Sequence, residues 1–150
     1  MSYVRTVLQP DEHVRYATSL HWFIYLPGLL LAALAAVACW YWMLAQHPVL
    51  EWLSLILLAV AAVLLFAAWF KQWTTEIAVT DRRIIFKRGF IRRHTIEMNM
   101  DKVESVDVDQ SIAGRIFNYG DVLIRGVGVG IEPLKMVDSP LIFRNHVTAE

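Results

Sequence analysis

Six cationic side chains, Arg82, Arg83, Lys87, Arg88, Arg92 and Arg93, fall within twelve positions that hold no acidic residue. Guanidinium and ammonium groups in such a run attract phosphate, and beside an anionic leaflet each is worth about 1 kcal/mol. Strand alternation divides them between two faces, so three or four sharing one face would contribute roughly 3–4 kcal/mol. Two plainer readings stand beside lipid contact. The run is a signal for membrane topology, or it is a solvated hairpin paired with Glu76, Asp101 and Glu104.

Other chemistry is sparse. His13, His21, His47, His94 and His146 show no metal-ligand spacing, so no metal is assigned. The single cysteine, Cys39, excludes an intramolecular disulfide and any Cys-rich zinc site. No serine sits in a nucleophile elbow. Gly126-Val127-Gly128-Val129-Gly130 is followed by Ile131-Glu132-Pro133, whereas a nucleotide loop needs a helix start there. The glycines therefore read as a strand or hairpin. No catalytic residue and no cofactor are assigned, and the chain is expected not to be an enzyme. Fourteen Lys and Arg balance fourteen Asp and Glu over the 150 residues, which does not suggest a nucleic-acid partner.

The balance hides a sharp division. Hydrophobic residues make up 57% of the chain, against a soluble average of roughly 45–50%. Residues 1–70 hold only Arg5, Asp11, Glu12, Arg15 and Glu51 as charged side chains. No Asp, Glu, Lys or Arg occurs from Tyr16 to Leu50, or from Trp52 to Phe70. A helix needs about 20 apolar residues to cross a hydrocarbon core, so two spans are predicted, at 22–45 and 50–73. All six tryptophans, Trp22, Trp40, Trp42, Trp52, Trp69 and Trp73, fall near span ends, as interfacial anchors do. His21 beside Trp22 reads as another such anchor.

Residues 46–49 form a short connection, which forces an antiparallel hairpin. Pro48 stops the first helix and suits the first turn of the second. Pro27-Gly28 either kinks the first span or marks where regular helix begins. Gly28, Ala32 and Ala36 recur every four residues, which reads equally as a close-approach face or as richness in alanine. The connection has no Lys or Arg, whereas Arg5, Arg15, Lys71, Arg82, Arg83, Lys87 and Arg88 flank the spans. The positive-inside rule places both termini in the cytoplasm. Ala36-Val37-Ala38-Cys39 faintly resembles a lipoprotein cleavage box, but the preceding segment is too long and the apolar run continues past it.

After Trp73 the pattern becomes short alternation. Strands are predicted at 74–79, 83–87 and 90–98, around Val106 and Val108, at 122–124 and at 127–131. Ser111 to Phe117 reads as a short helix ended by Gly120. Ser139-Pro140 opens a terminal helix, with Leu141, Ile142, Phe143 and Val147 against the sheet. Arg115 and Asp121 flank the turn that follows the short helix at 111–117 and read as an ion pair or loop hydrogen bonds, or as interaction residues.

The stretches Thr80-Asp81-Arg82-Arg83-Ile84, Gly89, Ile96-Glu97-Met98 and Val103-Glu104-Ser105-Val106 resemble the bacterial pleckstrin-homology (PH) domain of the YdbS/YdbT type. The most specific part is residues 110–121, with Gln110, Ser111, Gly114, Arg115, Tyr119 and Gly120 matching its Gln-Ser, Gly-Arg and Tyr-Gly signature. The opening Leu8-Gln9-Pro10-Asp11-Glu12 and the helical hairpin are similar to the YdbS layout. The resemblance implies two antiparallel sheets closed by a C-terminal helix.

The predicted architecture is a membrane α-helical hairpin plus a small, mainly-β PH-like domain. Its parts are a cytoplasmic segment 1–21, helices 22–45 and 50–73 joined by an extracytoplasmic connection 46–49, and a cytoplasmic PH-like domain 74–150. The expected function is a membrane-tethered interaction or scaffold module in the bacterial inner membrane. It would recognise a protein partner or another copy of itself through an exposed strand edge or loop. The alternative is an anionic-lipid headgroup sensor acting through the basic 82–93 hairpin. Channel or transporter activity would call for a polar or ionisable site within the spans, and their charge-free runs, 22–45 and 52–70, hold no acidic or basic residue.

Overall fold

In the computed structural model, which describes residues 4, 7–89, 94–127 and 133–148, the chain divides into two units. One is helical, Trp22–Lys71. The other is β-rich and discontinuous, built from residues on both sides of the helical pair, 1–21 and 72–150.

The helical unit follows from the charge-free runs. A 3₁₀ turn, Trp22–Tyr25, leads into α1, Leu26–Ala45, and α2 spans Pro48–Thr74. Both are long and apolar enough to cross a membrane, with mean hydropathies of 2.1 and 2.7. Pro27 lies in the first turn of α1, so Pro27-Gly28 marks the helix start. Gln46 ends α1 in the left-handed conformation, φ 51°, with its N–H donating to the Trp42 carbonyl at 2.7 Å. Helix resumes at Pro48, which needs no amide donor there, so the connection is shorter than the predicted 46–49.

Packing within this unit uses small residues, at a different spacing from that of the close-approach reading. Gly28 and Ala35 are buried on α1, and Ser54, Ala61 and Ala68 on α2. The interval is seven, as in a left-handed, antiparallel coiled seam. Ala36, assigned to the four-residue stripe, is exposed. A Cβ on Gly28 would stand 2.7 Å from Leu65 Cδ2, so glycine here sets how closely the helices approach.

The β-rich unit is two antiparallel sheets. Sheet A has the order β1 (Val14–Thr18), β2 (Glu76–Thr80), β3 (Arg83–Arg88) and β4 (His94–Asn99). Sheet B contains β5 (Val103–Asp109), β6 (Tyr119–Gly126) and β7 (Leu134–Asp138). A short helix α3, Ile112–Phe117, joins β5 to β6, and α4, Pro140–Thr148, ends the chain. Ile77, Val79, Ile84, Phe86 and Met98 from sheet A meet Val122, Ile124, Leu134 and Val137 from sheet B, and Phe143 and Val147 of α4 close this core. Leu141 and Ile142, predicted to join them, are instead exposed, because positions 140, 143 and 147 form the inward stripe.

β1 and β7 were not foreseen. β1 pairs with β2 across the whole helical pair, with Thr18 opposite Ile77 and Val14 opposite Thr80. The segment before α1 therefore belongs to the sheet, and so does His21. That side chain is buried, with its ring centroid 5.3 Å from that of Tyr119, and is not an interfacial anchor. The predicted strand at 90–98 is observed from His94, and the part at 90–93 lies outside the described residues, as does most of 127–131.

The seven-residue seam has a direct test. Ala61→Phe places a ring where 1% of the residue is exposed, and overpacking of this kind costs about 1–3 kcal/mol. Thermal unfolding of the full-length protein in mild detergent is expected to shift down accordingly, whereas Val63→Phe, on the exposed side, is expected to leave it unchanged.

Candidate functional site

The register sorts the β-rich unit into two ends. At one, Thr18 of β1 lies opposite Ile77, Glu76 opposite Lys87, and Arg88 opposite His94. Sheet B reaches the same end through the Thr18 hydroxyl, which donates to the Asp138 carbonyl at 3.0 Å, and through Tyr119, which lies opposite Asp138. His21 donates its backbone N–H to Met136 O at 2.8 Å, and Gln72 Nε2 donates to Leu20 O at 2.8 Å. This is where the chain departs for α1 and returns from α2; it is the exit end. The far end carries the turn at Asp81 and Arg82, the start of β5 and the end of β6.

The six cations of the sequence do not form one patch. Arg82 is exposed in the far-end turn, and Arg83 sits beside it. Lys87 and Arg88 are at the exit end, about 15 Å away by strand rise, and alternation points them to opposite faces of sheet A. Arg92 and Arg93 lie outside the described residues.

Arg83 is a correction to the predicted surface set, because its side chain is only 11% exposed. Its Nε and Nη2 donate to both oxygens of Glu12 at 3.0 and 2.8 Å, its Nη1 to Glu97 Oε2 at 2.7 Å, and Nη2 also to Val7 O at 2.9 Å. Sequence reasoning missed this because Glu12 precedes both apolar helices and Arg83 follows them. Glu12, whose side chain is fully buried, also accepts from the Thr80 hydroxyl at 2.7 Å and the Gln9 amide at 2.8 Å. Burial pushes its carboxyl up. The hydrogen bonds from Arg83, Gln9 and Thr80, with the Arg83 charge, outweigh that and hold it at about 2, below the ordinary 4.5. The same end is fastened by Asp81, which accepts the His13 amide at 3.1 Å.

The six signature residues build the β5–β6 connection at the exit end. Ser111 caps α3, accepting the Gly114 amide at 3.1 Å. Gln110 Nε2 donates to Tyr119 O at 3.0 Å. A Cβ on Gly114 would fall 2.5 Å from Tyr119 O, and one on Gly120 2.7 Å from Asp109 O. The helix ends at Asn118, φ 60°, not at Gly120, since asparagine tolerates the left-handed region and Gly120 is already in β6. Asp121 accepts the Met136 amide at 2.9 Å, a loop hydrogen bond. Arg115 projects outward, exposed.

The predicted anchors Trp22, Trp40, Trp52, Trp69 and Trp73 are exposed near helix ends, and Trp42 is half-buried. A shallow far-end cleft is lined by Arg15, Asp81, Asp101, Glu104 and Thr148, groups of both signs. Among the described residues no group of His, Cys, Asp and Glu is placed to hold a metal ion. Among the described residues β4 and β5 are edge strands, each paired on one side within its sheet; Glu104, Asp107 and Asp109 are exposed on β5, with Asp107 paired to Arg125 of β6 at 3.0 Å.

Two antiparallel sheets closed by a C-terminal helix are compatible with the PH-like class of β domains. The chain belongs to the bacterial PH domain family, whose profile matches residues 17–148, from within β1 to the end of α4. No curated protein and no solved structure matches it.

The buried pair predicts an acid limit. With the Glu12 carboxyl near 2 when folded and near 4.5 when unfolded, the unfolded chain takes up its proton first. The stabilisation, on the order of 3 kcal/mol, is complete above about pH 4.5 and is lost as pH falls toward about 2. Glu12→Gln is expected to be less stable at pH 7 by a similar amount and to lose this dependence. Unfolding of both proteins across that range checks it.

Proposed function

We propose that the protein is a membrane-tethered, non-enzymatic interaction module. Its two apolar helices hold a bacterial PH domain at the cytoplasmic face of the bacterial inner membrane, with both termini in the cytoplasm. The observation that carries this reading is the pairing of β1 with β2, Thr18 opposite Ile77. Strands hydrogen-bonded to each other lie on one side of a bilayer, so the chain between them crosses an even number of times. Two helices of sufficient length supply those crossings, and the tryptophans at their ends suit the interfaces. The loop between them carries no Lys or Arg, which supports an extracytoplasmic position. The resemblance to the YdbS/YdbT type points the same way.

Recognition in this reading occurs by strand addition on an open edge, with a protein partner or a second copy as the added strand. The edge of β5 favours a basic segment, because Glu104 and Asp109 are exposed along it, while Asp107 is already met by Arg125 at 3.0 Å. A photo-crosslinking residue in place of Ser105 in the full-length protein, activated in its own membranes, is expected to give one discrete adduct. No adduct from β5 or from a β4 position such as Asn99 would reject edge recognition. In a Cys39→Ser background, His47→Cys is expected to react with an impermeant thiol reagent in intact cells, and Asp11→Cys only after lysis. The reverse pattern would reject the topology.

Lipid-headgroup recognition is the second reading, and the position of Lys87 and Arg88 at the exit end favours it. Arg82 and Arg83 no longer contribute, so the described cations amount to about 2 kcal/mol on an anionic leaflet. In proteoliposomes, Lys87→Glu with Arg88→Glu is expected to reduce protease protection of the β-rich unit by anionic lipid, and 1 M salt to do the same. Equal protection of both proteins excludes this reading.

A further inference from the structure

Ile112 and Ile116 of α3 are 82% and 72% exposed, the two most exposed large apolar side chains among the described residues, and the adjoining Phe117 is 45% exposed. The geometry of the helix causes this. Gly114 faces inward against Tyr119 O, where no Cβ fits, and Ser111 fixes the first turn. Positions 112 and 116 are one turn apart on the opposite face and so are turned out together, with Arg115 exposed beside them. In water such a pair is unfavourable, and among the described residues nothing in the β-rich unit covers it.

The helix has a definite place. It links β5 to β6 at the exit end, where Asp109 lies opposite Asp121, and it runs directly into Asn118 and Tyr119. Tyr119 packs on His21, the residue before the first apolar helix begins. Asp138, paired with Tyr119, donates its amide to Ser19 O at 3.1 Å. The apolar pair is therefore carried on the end of the β-rich unit from which both apolar helices depart.

Resting on the tethered arrangement proposed above, we infer that α3 is a third membrane contact, a lipid-surface foot. Ile112, Ile116 and Phe117 enter the headgroup region of the leaflet that α1 and α2 enter, and the Arg115 guanidinium lies at phosphate level, where its fork of donors suits phosphate oxygens. A short helix with apolar side chains on one face and a cation beside them suits that interface. The occupant is lipid rather than protein because the patch is continuous with the end where the chain passes into its two spans. A patch for a soluble partner would gain access by lying at the far end.

The test uses full-length protein in lipid nanodiscs, with Cys39 replaced by Ser and an environment-sensitive fluorophore on one introduced cysteine. Ile116→Cys reports α3, Glu104→Cys the opposite end of β5, and Leu58→Cys the middle of α2. The label at 116 is expected to be blue-shifted, quenched by a headgroup-depth lipid nitroxide, and several-fold less sensitive to iodide than the label at 104. Iodide quenching at 116 equal to that at 104, with 58 still shielded, would overturn the foot and leave the tether standing. Shielding of 116 from both quenchers would assign the patch to a protein contact and overturn the lipid assignment. Iodide access at 58 would overturn the tether, and the foot with it.

Discussion

The fold depends on a pairing between strands that the rest of the hydrophobic sequence separates. β1 ends at Thr18, β2 begins at Glu76, and both apolar helices lie between them. Bringing distant segments together costs loop-closure entropy. Here an antiparallel helical pair, running out and back, returns the chain toward its starting point and reduces that cost. The Glu12–Arg83 pair then fastens the far end of the same ladder. One side chain comes from before the helices and one from after, and both oxygens of the buried carboxylate are used. A carboxylate taken out of water is tolerated only when it is met this fully. Val4 packs with Ala78 and Ile85 on the outer face of sheet A, so the same N-terminal segment covers the sheet that it completes.

This arrangement gives the β-rich unit two unlike ends. The exit end holds the departure points of the helices, Lys87, Arg88 and the apolar face of α3. The far end holds the Glu12 cluster and the mixed-charge cleft of Arg15, Asp81 and Asp101. Charges at the far end are largely committed to holding the chain together, as Arg83 and Asp81 show. Glu104 and Asp109 stand exposed along the edge of β5.

Periodicity and composition made the two long helices, the central strands and the terminal helix legible, because each rests on a local pattern. β1 and β7 were not legible. Val14–Thr18 is short and mostly exposed, and its partner follows the helical pair. β7 passes through Met136 at φ 59°, which breaks the alternation that marks a strand; the turned-out backbone is held by Asp121 on the amide and His21 on the carbonyl. Arg83 looked like its cationic neighbours because nothing local distinguishes a buried arginine from a solvated one. The helix seam stayed open for a related reason: Gly28, Ala32 and Ala36 recur at four-residue spacing, which composition alone also produces, and the partner helix selects positions seven apart. The signature of residues 110–121 was recognisable, yet its conspicuous letters, Gln110, Ser111, Gly114 and Gly120, build a scaffold. Ile112 and Ile116 carry no letter of that signature, and their outward orientation follows only from the way Gly114 seats the helix.

On the membrane-tethered arrangement proposed above, placing the helical pair between two paired strands would also make the β-rich unit a reporter of how the chain is inserted. In a bilayer, a chain whose second helix fails to cross leaves β1 and β2 on opposite sides. Sheet A then lacks an edge strand, Thr80 and Arg83 lose the carboxylate that joins them, and Ala78 and Ile85 lose Val4 above them. Such a product exposes the unpaired edge of β2 and an arginine left with Glu97 alone, the kind of surface that quality-control proteases and chaperones engage. Correct topology and a finished domain thus become a single condition, checked at the moment when the first strand finds the second.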